Sequence, residues 1–147
     1  MYNCRIFVLN KNITNMNYQS LENNDIFKLI ETTRNGLAYN TFNEFSEKFP
    51  LSSTDWSRIL HISERTIQRY KKEKKKFDSL HSEKLLMIMM LFQKGIDVFG
   101  NATKFSIWID TKNLALGGIK PKNLLDNSFG INLIKDELVK IEHGILA

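Results

Sequence analysis

Apolar residues recur at helical spacing from Asp25 to the carboxyl terminus, and nowhere does a series of alternating apolar and polar runs predict consecutive strands. Ile26, Leu29 and Ile30 lie on one face of a first helix, which Gly36 ends. Ala38, Phe42, Phe45 and Phe49 fall at i, i+4, i+7 and i+11, the stripe of a second helix stopped by Pro50. Two short helices around a tight corner follow. In "LSSTDWSRILHI" Ser52 or Ser53 is placed to cap the first, Asp55 complements its dipole, and Trp56, Ile59 and Leu60 form its inward face. "HIS" turns the chain, Ser63 caps the next helix with Glu64 in its first turn, and Ile67 and Tyr70 point inward.

The run Leu85 to Phe92 is apolar all round and predicts a helix through the centre of the protein, with Met87, Met89 and Met90 as gap-filling core. Phe105, Trp108 and Ile109 are spaced to pack inward from a further helix, Trp108 as a core residue. A loop carrying the pair Gly117 and Gly118 leads to a short helix that Pro121 starts. The last helix begins near Ser128, with Ile131, Ile134, Leu138, Ile141 and Ile145 on one stripe and Gly144 near its end. The fold class expected is all-α. Residues 1–24 form an asparagine-rich leader in which "RIFVL" is at most a short strand, and no role is assigned to it.

Charge sharpens the picture at one place. In "HISERTIQRYKKEKKK", His61 to Lys76, seven cations stand against Glu64 and Glu73, and that surplus of five equals the formal +5 of all 147 residues. A basic surplus confined to one segment marks a contact surface. Arg65, Gln68, Arg69 and Lys72 share the outward stripe, where Arg and Gln can pair bidentately with base edges in a major groove. The candidate DNA contacts are Ser63, Arg65, Thr66, Gln68, Arg69, Lys71, Lys72, Lys74, Lys75 and Lys76. Taken alone, "KKEKKK" is as well explained as a solvated face that complements the helix dipole. The corner between two short helices shifts the balance to DNA.

Candidate chemistry is otherwise sparse. One cysteine, Cys4, and three scattered histidines give neither a disulfide framework nor zinc-ligand spacing, and a reducing cytosol is the expected compartment. The apolar run Ile6 to Leu9 is too short for a signal-peptide core, and no stretch approaches the ~20 apolar residues of a membrane span. Asp55, His61, Glu64, His81, Glu137, Glu142 and His143 read as caps, turns and solvated faces rather than an acid–base pair. No phosphate-binding, nucleophile-elbow or H-E-x-x-H motif occurs, so a binding protein without a cofactor is expected, not an enzyme.

From about Leu37 to the carboxyl terminus the sequence resembles the Xre/MbcA/ParS-type antitoxins. "ISERTIQRY" looks like the recognition-helix signature. More specific is the pattern W-x4-N-x2-L-x-G-x2-P-x2-L-L-x4-G on Trp108, Asn113, Leu116, Gly118, Pro121, Leu124, Leu125 and Gly130, followed by "IEHG", Ile141 to Gly144. The resemblance implies a bacterial type II antitoxin that restrains a RES-domain, NAD-depleting toxin by occluding its active site, and that represses its own promoter. It also implies a toxin-binding surface in the loop of Asn113, Leu116, Gly117, Gly118, Lys120 and Pro121 and in the tail of Glu142, His143, Gly144, Ile145, Leu146 and Ala147.

The expected organisation is a leader over 1–24, a helix-turn-helix part over 25–79 and a toxin-binding part over 80–147. A homodimer is expected, because one small recognition helix seldom binds tightly enough without a second half-site. His61 departs from the glycine frequent at such corners, where a positive φ costs a β-carbon ~1 kcal/mol or more, although histidine tolerates it better than most residues. Two other readings stay open: a plain transcriptional regulator that dimerises through its carboxyl-terminal part, and an adaptor that only holds a protein partner.

Overall fold

The computed structural model describes residues 25–144, and within them seven α-helices follow one another without a strand: α1 Asp25–Asn35, α2 Tyr39–Ser46, α3 Ser53–Leu60, α4 Glu64–Glu73, α5 Ser79–Phe99, α6 Ala102–Ile109 and α7 Ser128–Glu142. Two 3-10 turns, Leu114–Leu116 and Pro121–Leu124, lie between α6 and α7. The expected all-α class is what the chain adopts. The leader, Cys4 and "RIFVL" included, lies outside the described residues, as do Ile145, Leu146 and Ala147.

Local chemistry sets the boundaries. Ser52, not Ser53, caps α3: its Oγ accepts from Asp55 N at 3.0 Å while Asp55 Oδ2 accepts from Ser52 N at 3.0 Å, a reciprocal box. Asp78, Asn101 and Asn127 cap α5, α6 and α7 in the same one-sided way as Ser63 caps α4. Gly36 ends α1 at φ 85°, where an added β-carbon would meet the Phe77 carbonyl oxygen at 2.4 Å.

The core is organised around α5, which packs against α1, α6 and α7. Leu85, Leu86, Ile88, Met89, Leu91 and Phe92 are buried, as the all-round apolar run requires. Phe92 is the junction: its ring lies 5.4 Å from Phe45, 4.3 Å from Phe49 and 5.2 Å from Phe105. Phe45 in turn meets Trp56 at 5.9 Å, so the helix pair α3–α4 and the segment after α5 share one aromatic core. Among the described residues no single helix is long and apolar enough to cross a membrane.

Several expectations give way. The second helix stops at Ser46, and Phe49 reaches the core from the turn beyond it, with its ring 4.3 Å from that of Phe92. Of the first helix's stripe only Leu29 is buried, whereas Ile26 and Ile30 remain 45% and 39% exposed. Met89 is buried in the core, and Met87 and Met90 pack against it at its edge, half-buried beside open grooves. Trp108 is also only half-buried, lying over Phe99 at 5.5 Å and Phe105 at 6.1 Å on the rim. Glu137, expected on a solvated face, is buried at 7% exposure, with Lys140 Nζ 3.9 Å from its carboxylate.

Candidate nucleic-acid and partner-binding interfaces

Helices α3 and α4 meet at a corner fixed by its own polar groups. His61 takes the left-handed conformation, φ 54° and ψ 35°, ending α3 where glycine is more usual. Ile62 N donates to Ser57 O at 3.2 Å, and Ser57 Oγ returns a bond to Ile62 O at 2.6 Å. The Glu64 carboxylate then accepts from Ser53 Oγ and Thr54 Oγ1, each at 2.9 Å. That bridge joins the first turn of α4 to the first turn of α3, so the angle between the helices is held at the start of each as well as at the corner.

Ile67 is buried and Tyr70 half-buried beneath α4, which leaves Arg65, Gln68, Arg69 and Lys72 exposed on one side. Arg65, Gln68 and Lys72 have no hydrogen bond or ion pair among the described residues, so their donors are free for an acceptor-rich partner. Ser63 Oγ accepts from Thr66 N at 3.1 Å and lies 2.9 Å from Thr66 Oγ1, which places both hydroxyls at the positive end of α4. Lys71 occupies the last turn. Lys74, Lys75 and Lys76 follow the helix instead of continuing it: Lys74 turns left-handed at φ 50°, and Lys75 O accepts from Tyr39 N at 3.2 Å. The backbone there is pinned, and Lys75 Nζ lies 2.9 Å from the Glu73 carboxylate, holding that carboxyl below its usual range.

The second cluster begins at the end of α6. Asn113 N donates to Ile119 O at 3.1 Å, Gly118 N donates to Asn113 O at 2.8 Å, and Asn113 Oδ1 accepts from Ala115 N at 2.8 Å. Gly117 and Gly118 both lie at φ 74°, two successive left-handed residues that close this loop. Leu116 is buried beneath it and Pro121 is buried at the start of the next turn, whereas Leu114 at the apex is 94% exposed. Lys120 Nζ reaches Asp110 Oδ1 at 3.1 Å and Lys122 Nζ reaches it at 2.9 Å. The two ammonium groups, Lys122 foremost, hold the Asp110 carboxyl below the ordinary carboxylate range.

At the far end, Glu142 forms an ion pair with Lys94 of α5, which lowers its carboxyl likewise. His143 caps α7 and Gly144 follows at φ 67°. Ile107, Ile119, Phe129 and Leu133 are further large apolar side chains left exposed, Phe129 at 86%. Helical periodicity did not single out Leu114 or Phe129. Their only sequence signal was an apolar residue off the stripe of its own element. Among the described residues no three His, Cys, Asp or Glu side chains gather as a metal-binding group.

The two clusters are tied together by side-chain donors that bind backbone carbonyls. Arg58 of α3 donates to Asn123 O at 3.2 Å and to Lys122 O at 3.1 Å. His61 Nε2 donates to Asp126 O at 2.9 Å. Lys84 of α5 donates to Ile59 O at 3.1 Å and Asp126 O at 2.7 Å, and burial pushes its ammonium down while Asp126 opposes the shift. The bonds from Arg58 and Lys84 are charge-assisted, and such bonds are roughly twice as strong as neutral ones. The α3–α4 corner is therefore held directly against the segment that follows the glycine loop.

Comparison with known proteins divides the chain along these lines. Residues 28–90 match the antitoxin Xre-like helix-turn-helix domain, and residues 94–144 match the antitoxin Xre/MbcA/ParS C-terminal toxin-binding domain. A relative described as "Antitoxin Xre", from Photorhabdus laumondii subsp. laumondii, is 28% identical over 94 residues, 63% of this chain and 64% of the relative. The match thus covers less than two thirds of that relative's length. With α3 and α4 inside the first matched domain and the glycine loop and α7 inside the second, the chain belongs to the Xre/MbcA/ParS antitoxin family.

Proposed function

We propose that the chain is a cytoplasmic antitoxin that binds and restrains a partner toxin through residues 80–147 and represses its own operon as a homodimer through residues 25–79. The observation that carries this reading is the pairing, in one fold, of an unpartnered Arg65, Gln68 and Lys72 stripe on α4 with a second cluster whose large apolar side chains stay exposed. The first has the chemistry of base and phosphate recognition. The second has that of a protein interface, with large apolar side chains such as Leu114 and Phe129 exposed as anchors.

On this reading the toxin is of the RES-domain, NAD-depleting type, and the inhibition is steric. Support for that finer statement is the resemblance of the Trp108 to Gly130 pattern and the "IEHG" ending to antitoxins of such toxins. Asn113, Gly117, Gly118, Lys120 and the carboxyl-terminal tail then present the blocking surface, with Leu116 and Pro121 holding the loop from beneath. Arg65, Gln68 and Arg69 read bases, while Lys71, Lys72 and Lys74 to Lys76 neutralise phosphates.

The test is co-expression with the neighbouring reading frame. Growth arrest by the neighbour alone, relief by this chain, and recovery of both as a complex support the proposal. A neighbour without toxicity, or toxicity that this chain leaves unchanged, refutes it.

A further inference from the structure

The pattern that runs from Trp108 to Gly130 has an internal task at each of its positions. Leu116, Pro121 and Leu125 are buried, Leu124 packs against the core, and Trp108 lies over Phe99 and Phe105. Asn113 commits its side chain to Ala115 N and its backbone to Ile119 and Gly118. Gly118 closes the loop at φ 74°, which side chains rarely adopt, and a β-carbon on Gly130 would come within 1.9 Å of the Leu124 carbonyl oxygen. The patterned residues therefore give the loop its form. They do not decide what the loop displays.

The display lies between them. Leu114 stands 94% exposed at the apex, Ile119 is 42% exposed beside the Asn113–Ile119 closure, and Ile107 of α6 is 64% exposed. Lys104, Ile107 and Thr111 fall at i, i+3 and i+7, so the exposed face of α6 leads directly into Lys112 and the loop. Lys104 and Lys112 are exposed and have no ion-pair partner among the described residues, whereas Lys120 and Lys122 both hold Asp110. From Ala102 to Lys122 four lysines stand against Asp110 alone, a surplus of three. From Asp126 to Glu142 the balance reverses, with Lys135 and Lys140 against four carboxylates. The positive charge is confined to the loop side.

We propose that Ile107, Lys112 and Leu114, with Lys104 beside them, determine which toxin the chain recognises, and that this partner offers Leu114 an apolar pocket within an acidic surface. The proposal rests on the antitoxin reading above and adds the partner's chemistry to it.

A leucine held out by a loop whose backbone is already pinned leaves little loop ordering to be done on binding, so its burial is expressed as affinity. Unpaired ammonium groups around it speed encounter with an acidic surface and repel a basic one. Nucleic acid is acidic as well, but a phosphate backbone gives Leu114 and Ile107 nothing apolar to meet. A protein partner fits both features.

The probe is the purified product of the neighbouring reading frame, and the readout is its association and dissociation on the full chain over a range of salt. Wild type should bind, with association slowing as salt rises. Leu114→Asp should weaken binding at least about tenfold, chiefly through faster dissociation, while Leu114→Met keeps most of it. Lys104→Glu with Lys112→Glu should slow association and remove most of its salt dependence. Tm and promoter binding should stay at wild-type values in all three, because the altered side chains are exposed. Asn113→Ala is the contrast, since it removes the acceptor of Ala115 N, and any binding it loses should be matched by a fall in Tm. Undiminished binding by Leu114→Asp overturns the proposal, as do association that quickens with salt, charge reversals that impair promoter binding instead of partner binding, and an Asn113→Ala chain that loses the partner at full Tm. A neighbour that the wild type does not bind overturns the antitoxin reading and this proposal with it. A bound neighbour indifferent to these variants overturns this proposal alone.

Discussion

Replacing Phe92 by alanine strikes a ring that touches both halves of the molecule. Phe92 is fully buried, with Phe45 and Phe49 on the helix-turn-helix side and Phe105 on the other. Truncating a buried phenylalanine costs about 3 to 5 kcal/mol, the lost transfer energy plus the cavity left where neighbours cannot collapse. Here collapse is resisted from three directions, so the upper part of that range applies. For a chain of this length each kcal/mol lowers Tm by about 2 to 4 °C, which gives a fall of roughly 10 to 20 °C. Thermal unfolding followed by far-ultraviolet circular dichroism and by tryptophan fluorescence should show this as one transition, because Trp56 and Trp108 lie on opposite sides of Phe92 in the same aromatic chain. Phe129→Ala, at an 86% exposed position, serves as the control and should shift stability by less than about 0.5 kcal/mol. A fall of under 3 °C in Phe92→Ala, or fluorescence and dichroism transitions that separate, would mean that the two halves do not share a core.

Three further outcomes follow from local geometry. Gly130→Ala places a β-carbon 1.9 Å from the Leu124 carbonyl oxygen, a backbone clash that should cost at least about 1 to 3 kcal/mol in urea denaturation and weaken toxin capture more than promoter binding. At the corner, His61→Gly relieves a left-handed β-carbon but loses the bond to Asp126 O, so stability should change by less than about 1 kcal/mol, whereas His61→Val should lose clearly more. Asp110 has its carboxyl lowered by Lys122 and Lys120, and a lowered folded pKa means a contribution present above the unfolded value and lost as pH falls through the folded one. The Tm gap between wild type and Asp110→Asn should therefore be complete above about pH 5, begin to close near pH 4 and vanish at lower pH.

Much of the fold is written in nearest-neighbour chemistry, and that part was legible. The caps at Ser52 and Ser63, the stop at Gly36, the left-handed corner at His61 and the buried run of α5 each depend on residues within a turn of one another. Exposure was harder to read. Ile26, Ile30, Met87 and Met90 have the spacing of core residues, and periodicity reports which residues share a face without saying what covers it. Trp108 lies on the rim, stacked over Phe105, while Phe105 and Ile109 are the buried residues of α6.

At the site, the outward stripe of α4 was legible because Ile67 and Tyr70 fix which side is inward. The clamps from Arg58, His61 and Lys84 were not, since their acceptors are backbone carbonyls of Ile59, Lys122, Asn123 and Asp126, and a carbonyl leaves no mark in a sequence. Leu116 and Pro121 carry the pattern of the toxin-binding segment yet sit buried, while Leu114 between the patterned positions is the side chain that protrudes.

Base recognition by α4 is tested by titrating the chain onto its own promoter and onto a scrambled duplex over a range of salt. The wild type, Arg65→Ala with Arg69→Ala, and neutral glutamine replacements of Lys74 to Lys76 should be compared. Loss of the two arginines should reduce the preference for the promoter by ~1 to 3 kcal/mol per bidentate contact and leave the scrambled duplex much less affected. Neutralising the lysines should weaken both duplexes alike and flatten the salt dependence by about one unit of slope per lost phosphate contact. Wild-type affinity, preference and salt slope retained in both sets of variants would mean that α4 does not read DNA.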